Sequence, residues 1–294
     1  MTAGRSPEAG TEGRTPEERP FARRRAEIGA IGQGTFLMEH DDPKAVVRAL
    51  RVGLERGLRH VDTAELYGGG RVEELVGEAL AGRRDEAFVV SKVMPHNASY
   101  QGTLAACERS LRLLGMDYLD GYLLHWPGAH PLSETLQAFD ELVRAGKIRW
   151  YGVSNFDAAG LAEAVRIAGP GRIACNQILY HLAERSSEHE VIPFCEANDI
   201  AVVGYTPFGR AAFPPRRGGA VLERLAAARG VTPRQLALAY LTRRPSLFAI
   251  PKASQPSHVE ENAGAAKLVL TPAELLEVEA AFPRGAPRRG VARI

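Results

Sequence analysis

Short apolar runs alternate along this chain with longer amphipathic stretches, and each apolar run ends on a polar residue able to do chemistry. Asp62 follows 58–61, Lys92 follows 88–91, His125 follows 122–124, Ser154 and Asn155 follow 150–153, Gln177 follows 174–176, Tyr205 follows 201–204, and Lys252 follows 248–251. Asp62 to Lys92 is 30 residues and Lys92 to His125 is 33, room for one strand and one helix each time. Such units line up in a parallel sheet and deliver one functional group apiece to the same end, where α/β barrels keep their active sites.

Hydrophobic period and punctuation predict strands at 31–36, 59–63, 88–93, 120–126, 149–154, 174–179, 201–206 and 247–251, the first ending near Gly34. Helices are predicted at 43–56, 71–82, 100–114, 131–145, 157–168, 188–198, 218–229 with 233–243, and 256–266. Asp42 before Pro43 is a start signal, and Gly57, Gly115 and Gly146 are stops. Eight strand–helix units match a single-domain (β/α)8 TIM barrel better than a six-stranded doubly wound sheet. A further helix at 271–282, with Thr271 as cap and Pro272 in its first turn, exceeds the barrel count and is expected on the outside. Residues 1–22, rich in Gly, Pro, Ser, Thr and charge, read as a disordered tail; the barrel takes 23–282, and 283–294 read as an irregular tail free to fold over the site. The stretch 23–28 alternates weakly and fits either a hairpin plugging the barrel's bottom or an extension of the tail.

The 294 residues are 45% hydrophobic, enough for a full core. Thirty-seven basic and 35 acidic residues leave a net +2, which argues against nucleic acid or an anionic membrane as a partner, so any phosphate is bound locally. The start lacks the apolar segment of a secretory signal and no run of 18 apolar residues follows, which predicts a soluble protein. Cys107, Cys175 and Cys195 are odd in number and far apart, with no C-x-x-C or H-E-x-x-H; they read as small buried hydrophobes of a reduced, cytoplasmic protein without a metal site. A monomer is expected.

Asp62 ends one strand, and Tyr67 stands five residues on in the loop that leaves it. A phenol titrates near 10, so proton transfer near neutrality calls for a cation beside it. Lys92 supplies the cation from the next strand, Asp62 supplies the counter-ion that keeps a buried lysine charged, and His125 joins from the strand after. Singly, Asp62 reads as a helix cap, Lys92 as a rim charge and His125 as a core histidine. Their common phase with the strand period favours one site.

Together these residues resemble the aldo-keto reductase family. The matching segments are Gly32-Gln33-Gly34-Thr35-Phe36, His60-Val61-Asp62-Thr63-Ala64 with Tyr67-Gly68, Ser91-Lys92-Val93, Leu123-Leu124-His125-Trp126, Tyr151-Gly152-Val153-Ser154-Asn155-Phe156, Asn176-Gln177 and Ile250-Pro251-Lys252-Ala253-Ser254. The resemblance implies Tyr67 as general acid in carbonyl reduction, Lys92 lowering its pKa with Asp62 behind it, His125 orienting the carbonyl, and hydride from a reduced nicotinamide. It also implies that Ser154, Asn155 and Gln177 hold the carboxamide and that Tyr205 stacks on the ring. Gly34, Thr35, Thr206, Phe208, Gly209, Arg210 and Ile250 belong to the same implied cofactor set, and Lys252, Ser254, Glu261 and Asn262 to its adenosine end. Phe36 and Trp126 line the implied substrate pocket with Tyr67 and His125, and Phe208 and Phe213 are further candidates for its wall.

No G-x-G-x-x-G follows any predicted strand, and Gly68-Gly69-Gly70 reads instead as a flexible loop beside Tyr67. Where many NADPH-dependent members carry arginine for the 2′-phosphate, this chain has His258, which lacks the guanidinium fork; NADPH is the expected cofactor, with NADH possible. Phe36 stands where many members have tryptophan. The pattern resembles bacterial members acting on methylglyoxal and other reactive aldehydes. Two other readings share the same residues: a biosynthetic reductase or epimerase of one sugar or natural-product intermediate, and a non-catalytic nicotinamide-binding regulatory subunit. A barrel that binds another ligand, without cofactor, is a third.

Overall fold

A computed structural model describes residues 18–22 and 26–293. An antiparallel hairpin, β1 (Glu18–Phe21) and β2 (Ala26–Gly29), precedes eight strand–helix units. These are β3 (Gln33–Gly34) with α1 (Pro43–Glu55), β4 (His60–Asp62) with α2 (Arg71–Leu80), β5 (Phe88–Val93) with α3 (Tyr100–Leu114), and β6 (Leu119–Leu124) with α4 (Leu132–Arg144). Then come β7 (Ile148–Ser154) with α5 (Ala158–Ala168), β8 (Ile173–Leu179) with α6 (Val191–Ala197), β9 (Ala201–Tyr205) with α7 (Gly219–Arg229) and α8 (Pro233–Leu241), and β10 (Leu247–Ile250) with α9 (Pro256–Gly264). β3 to β10 pair in chain order, each pair parallel, and bridges from Ile31 to Ala249 and from Gly34 to Lys252 join the first strand to the last. The result is the expected (β/α)8 barrel.

β5 and α3 fall on their predicted bounds. The first strand is shorter than the predicted 31–36, because Gly32 turns its N–H to Ala249 O to close the barrel and Thr35 turns its N–H to Asp62 O. The predicted helix 188–198 contracts to α6 behind a 3-10 turn, Ser186–Glu188, whose Glu188 pairs with Arg185 and Arg243. α10 (Pro272–Ala281) carries the predicted cap: Thr271 accepts from Glu274 N–H while the Glu274 side chain reaches back to Thr271. It packs against α7 on the outside.

Period-two alternation decides which side chains reach the site. On β5, Val89 and Val93 join the helices while Phe88 and Val90 join the barrel interior, so Lys92 points inward too. The same parity puts Leu123 before His125, Trp150 two turns of the pleat before Ser154, Val203 before Tyr205, and Ile250 before Lys252. These strands thus carry apolar residues inward at the bottom and a polar one inward at the top, while β4 carries His60 below Asp62.

The hairpin plugs the bottom. Phe21 is fully buried, its ring 5.3 Å from Phe88, 5.1 Å from Trp150 and 5.0 Å from Phe248, with Ile28 beside it. This corrects the tail assigned to 1–22: Glu18–Phe21 is a strand, since an aromatic side chain with this much surface has a partner in the open barrel end. Residues 1–17 lie outside the described residues. Residues 283–293 hold no helix or strand, yet Ala292 is buried and Val291 packs against the core. All three cysteines are free and buried. Among the described residues no helix is long and apolar enough to cross a membrane.

Candidate active site

A cavity of about 700 Å³ opens at the top of the barrel, and Asp62, Tyr67 and His125 line it. Lys92 lies beneath, fully buried. Its Nζ donates to Asp62 Oδ1 at 2.6 Å, to the Thr63 carbonyl at 2.8 Å and to the Tyr67 hydroxyl at 3.3 Å, so all three protons of the ammonium are taken. Asp62 is held from both sides, because Gln177 Nε2 donates to its other oxygen at 2.7 Å. The predicted tetrad is assembled, and Gln177 is tied into it from across the barrel.

Burial raises the Tyr67 pKa above its ordinary value, and the Lys92 charge works against that rise without cancelling it. The lowering expected from Lys92 is present, but burial outweighs it. Burial pulls Lys92 down, but Asp62 and then Tyr67 pull harder, and its pKa ends above the ordinary lysine value. His125 is pushed down to about 2 by burial and by Lys92, so its imidazole is neutral. Its ring centroid is 6.0 Å from that of Tyr67 and 4.7 Å from that of Trp126. A proton donor and a neutral imidazole bordering one cavity, with a fixed cation beneath the donor, can protonate and orient an oxygen that accumulates charge.

The loop carrying Tyr67 is braced. Glu65 accepts from the Met94 N–H at 2.6 Å and from Asn97 at 3.0 Å, and its other oxygen pairs with Arg109 of α3. Gly68, Gly69 and Gly70, read as a flexible loop, take left-handed φ of 57°, 61° and 98° in a 3-10 turn that swings the chain from Tyr67 into α2. Side chains rarely adopt such angles, which accounts for three consecutive glycines. Gly34 lines the cavity, but its bareness serves barrel closure: a Cβ there would meet the Ile250 carbonyl at 2.5 Å.

The remaining predicted residues divide in two. Thr35, Phe36, Trp126, Ser154, Asn155, Gln177, Tyr205, Thr206, Phe208, Gly209, Arg210, Ile250 and Lys252 all line the cavity. Ser154 Oγ donates to the Gln177 carbonyl, Asn155 Nδ2 to the His125 carbonyl and to Ser154 Oγ, and the Tyr205 hydroxyl to Asn155 Oδ1. With those donors engaged, Gln177 Oε1 is not used in this network and Asn155 Oδ1 retains a lone pair. These are acceptors suited to a carboxamide NH₂, so the side chains present fit a nicotinamide.

Ser254, His258, Glu261 and Asn262 do not line the cavity; they follow Lys252 into α9. Ser254 donates to Asp41, Glu261 accepts from the Thr232 hydroxyl, Asn262 is buried, and His258 is exposed in the first turn. Two cavity-lining cations, Arg234 and Arg293, escaped both the strand-end rule and the resemblance. Arg234 sits at the start of α8 with its guanidinium 4.8 Å from the Phe208 ring and 5.3 Å from that of Phe213. Arg293 reaches in from the C-terminal segment and donates to the Asn155 carbonyl at 3.2 Å. Among the described residues no three His, Cys, Asp or Glu side chains gather as metal ligands.

A model of the Aldo/keto reductase family matches residues 30–282. The chain belongs to this family. The methylglyoxal reductase YeaE of Escherichia coli is 43% identical over 261 residues, 87% of this chain and 92% of that protein. The methylglyoxal reductase DkgB of Salmonella typhimurium is 32% identical over 72% of this chain and 78% of its own length. Among solved structures, an aldo/keto reductase from Klebsiella pneumoniae in complex with NADP and acetate superposes with a TM-score of 0.89 at 39% identity, covering 95% of this chain and all of that one. The aldo-keto reductase barrel is thus the frame in which these side chains meet.

Proposed function

We infer that the protein is an NADPH-dependent aldo-keto reductase that reduces small aldehydes and ketones to alcohols, 2-oxoaldehydes such as methylglyoxal among them. The observation that carries this is the buried chain from Tyr67 through Lys92 to Asp62, opening on a cavity with neutral His125. NADPH, when bound, supplies the hydride. Tyr67 gives its hydroxyl proton to the carbonyl oxygen, and Lys92 stabilises the phenolate left behind, 3.3 Å away. His125, uncharged, orients the same oxygen without competing as an acid. Asp62 keeps Lys92 charged, and Gln177 keeps Asp62 in place. Ser154, Asn155 and Gln177 would hold the carboxamide, Tyr205 would lie against the ring, and Arg210 and Lys252 would meet the phosphates.

The substrate class rests on the two methylglyoxal-reductase relatives and on the aromatic and aliphatic groups beside Tyr67: Phe36, whose ring is 5.2 Å away, Leu66 and Trp126. We read the protein as a cytoplasmic monomer, its thiols free and buried. The test is NADPH oxidation with methylglyoxal and with an aromatic aldehyde, beside NADH and beside Tyr67→Phe. Turnover lost in the variant while NADPH still binds supports the mechanism; turnover retained in Tyr67→Phe removes it.

A further inference from the structure

Where Lys252 lines the cavity, an anion of the chain's own stands against it. Asp41 ends the 3-10 turn after β3, one residue before Asp42 caps α1. Its Oδ2 lies 2.5 Å from Lys252 Nζ and accepts from Ser254 Oγ at 2.5 Å. Lys252 lines the cavity, and Ser254 immediately precedes Gln255, the residue at the N-cap of α9, whose side chain caps nothing. An ammonium and a hydroxyl therefore converge, just ahead of the start of α9, as such donors do around bound phosphate, and one carboxylate oxygen takes both. Burial opposes ionisation of Asp41, but Lys252 and Ser254, with His40 adding to them, hold its pKa below the ordinary value. The Lys252 and Asp41 side chains are 37% and 30% exposed, so the pair is of the weak, displaceable kind.

We propose that Asp41 sets the choice between phosphorylated and unphosphorylated nicotinamide cofactors: its carboxylate occupies the Lys252–Ser254 seat, opposes a 2′-phosphate and accepts a free ribose 2′-hydroxyl. A phosphate dianion outcompetes a carboxylate monoanion for Lys252, so NADPH binds, but only after displacing Asp41. A ribose hydroxyl donates to the carboxylate where it stands, as acidic residues do in NAD sites of other folds. His258, lacking the guanidinium fork, adds little to counter this. Asp41 thus narrows the preference for NADPH. This inference rests on the cofactor reading above.

The experiment is titration of the full-length protein with NADPH, NADH and 2′,5′-ADP, followed by quenching of protein fluorescence or by calorimetry. Wild type is compared with Asp41→Asn and Lys252→Met, and the thermal transition of each is recorded. Removing one like charge beside the phosphate should tighten NADPH and 2′,5′-ADP by about five- to tenfold in Asp41→Asn, with NADH unchanged or weaker. In Lys252→Met the two phosphorylated ligands weaken, and adding Asp41→Asn to it no longer discriminates between the cofactors. An unchanged NADPH-to-NADH ratio in Asp41→Asn overturns the proposal, as does equal weakening of both, which would make Asp41 a strap over either cofactor. A wild-type protein that binds neither cofactor overturns the underlying reading as well, and so separates the two failures.

Discussion

His60 at the bottom of β4 and His125 just past the top of β6 are both buried and both held neutral, yet their surroundings have little else in common. His60 packs edge-on against Phe21 and Phe88, sealed under the hairpin, and burial depresses its pKa to about 4. His125 is depressed further, to about 2, by burial and by Lys92, and it borders the cavity. Strand β4 spans the contrast alone: His60 and Asp62 share its inward face, one in the aromatic plug and the other in the ion pair with Lys92. Burial neutralises an imidazole anywhere in this barrel. What separates a structural histidine from a candidate reaction partner is a fixed charge beside it and a path to solvent.

The sharpest way to press that contrast is to damage each end separately. At the top, Tyr67→Phe removes one hydroxyl and no packing surface, and should lower kcat by about 10²–10⁴. NADPH affinity and the thermal midpoint should stay near wild type, since Lys92 keeps Asp62 and the Thr63 carbonyl. Steady-state assays beside a melting curve check both. At the bottom, Phe21→Ala should do the reverse. Emptying a site walled by four aromatic rings costs about 3–5 kcal/mol of stability. Denaturant unfolding would show it, and kcat of the folded fraction should not move. A large fall in kcat from Phe21→Ala would mean that the two ends are mechanically linked.

Acid titration refines the comparison through His60 itself. Its pKa is about 6.5 unfolded and about 4 folded, so the unfolded chain takes up the proton first as pH falls. Stability is fully present above pH 6.5, declines between 6.5 and 4, and levels off below. A shift of that size corresponds to roughly 3 kcal/mol by pH 4. Urea midpoints of wild type and His60→Leu at pH 7 and pH 4.5 check it: the variant's acid limb should be shallower. Parallel limbs would place the acid sensitivity elsewhere, with His125 as the next group to replace.

The two ends also differed in how far the sequence disclosed them. The top was readable because its rule is local: inward parity along each strand ends on a polar residue, and Asp62, Lys92, His125, Ser154, Tyr205 and Lys252 all obey it. What stayed hidden was pairing between distant residues. Gln177 and Asp62 meet across 115 residues of chain, and Asp41 meets Lys252 only because the first and last strands close on each other. The hairpin was undecidable because Glu18–Phe21 offers a single large apolar side chain, and its pocket exists only once four strands supply the rings around it. The C-terminal segment left no periodic signal. Its anchor is an ionic cluster in which buried Arg185 pairs with Glu188 and donates to the Phe282 carbonyl, and Arg243 joins from beyond α8. Burial would raise the Glu188 pKa, but Arg185 and its neighbours bring it down to about 2.

That anchor leads to the smallest expected effect, at the rim of the top end. Arg293 contributes one hydrogen bond, to the Asn155 carbonyl at 3.2 Å, from a segment whose hold on the barrel lies largely in the cluster near its start. Losing one such bond at a half-buried site is worth about 0.5–1.5 kcal/mol. Arg293→Ala should therefore raise KM for the carbonyl substrate roughly two- to tenfold and leave kcat nearly unchanged, because the proton-donating chain does not pass through it. A loss concentrated in kcat would instead mean that Arg293 sets the position of Asn155, and through the Asn155 Nδ2 bond the backbone of His125. The top of the barrel would then be as tightly determined as the bottom, with its last wall supplied by the end of the chain.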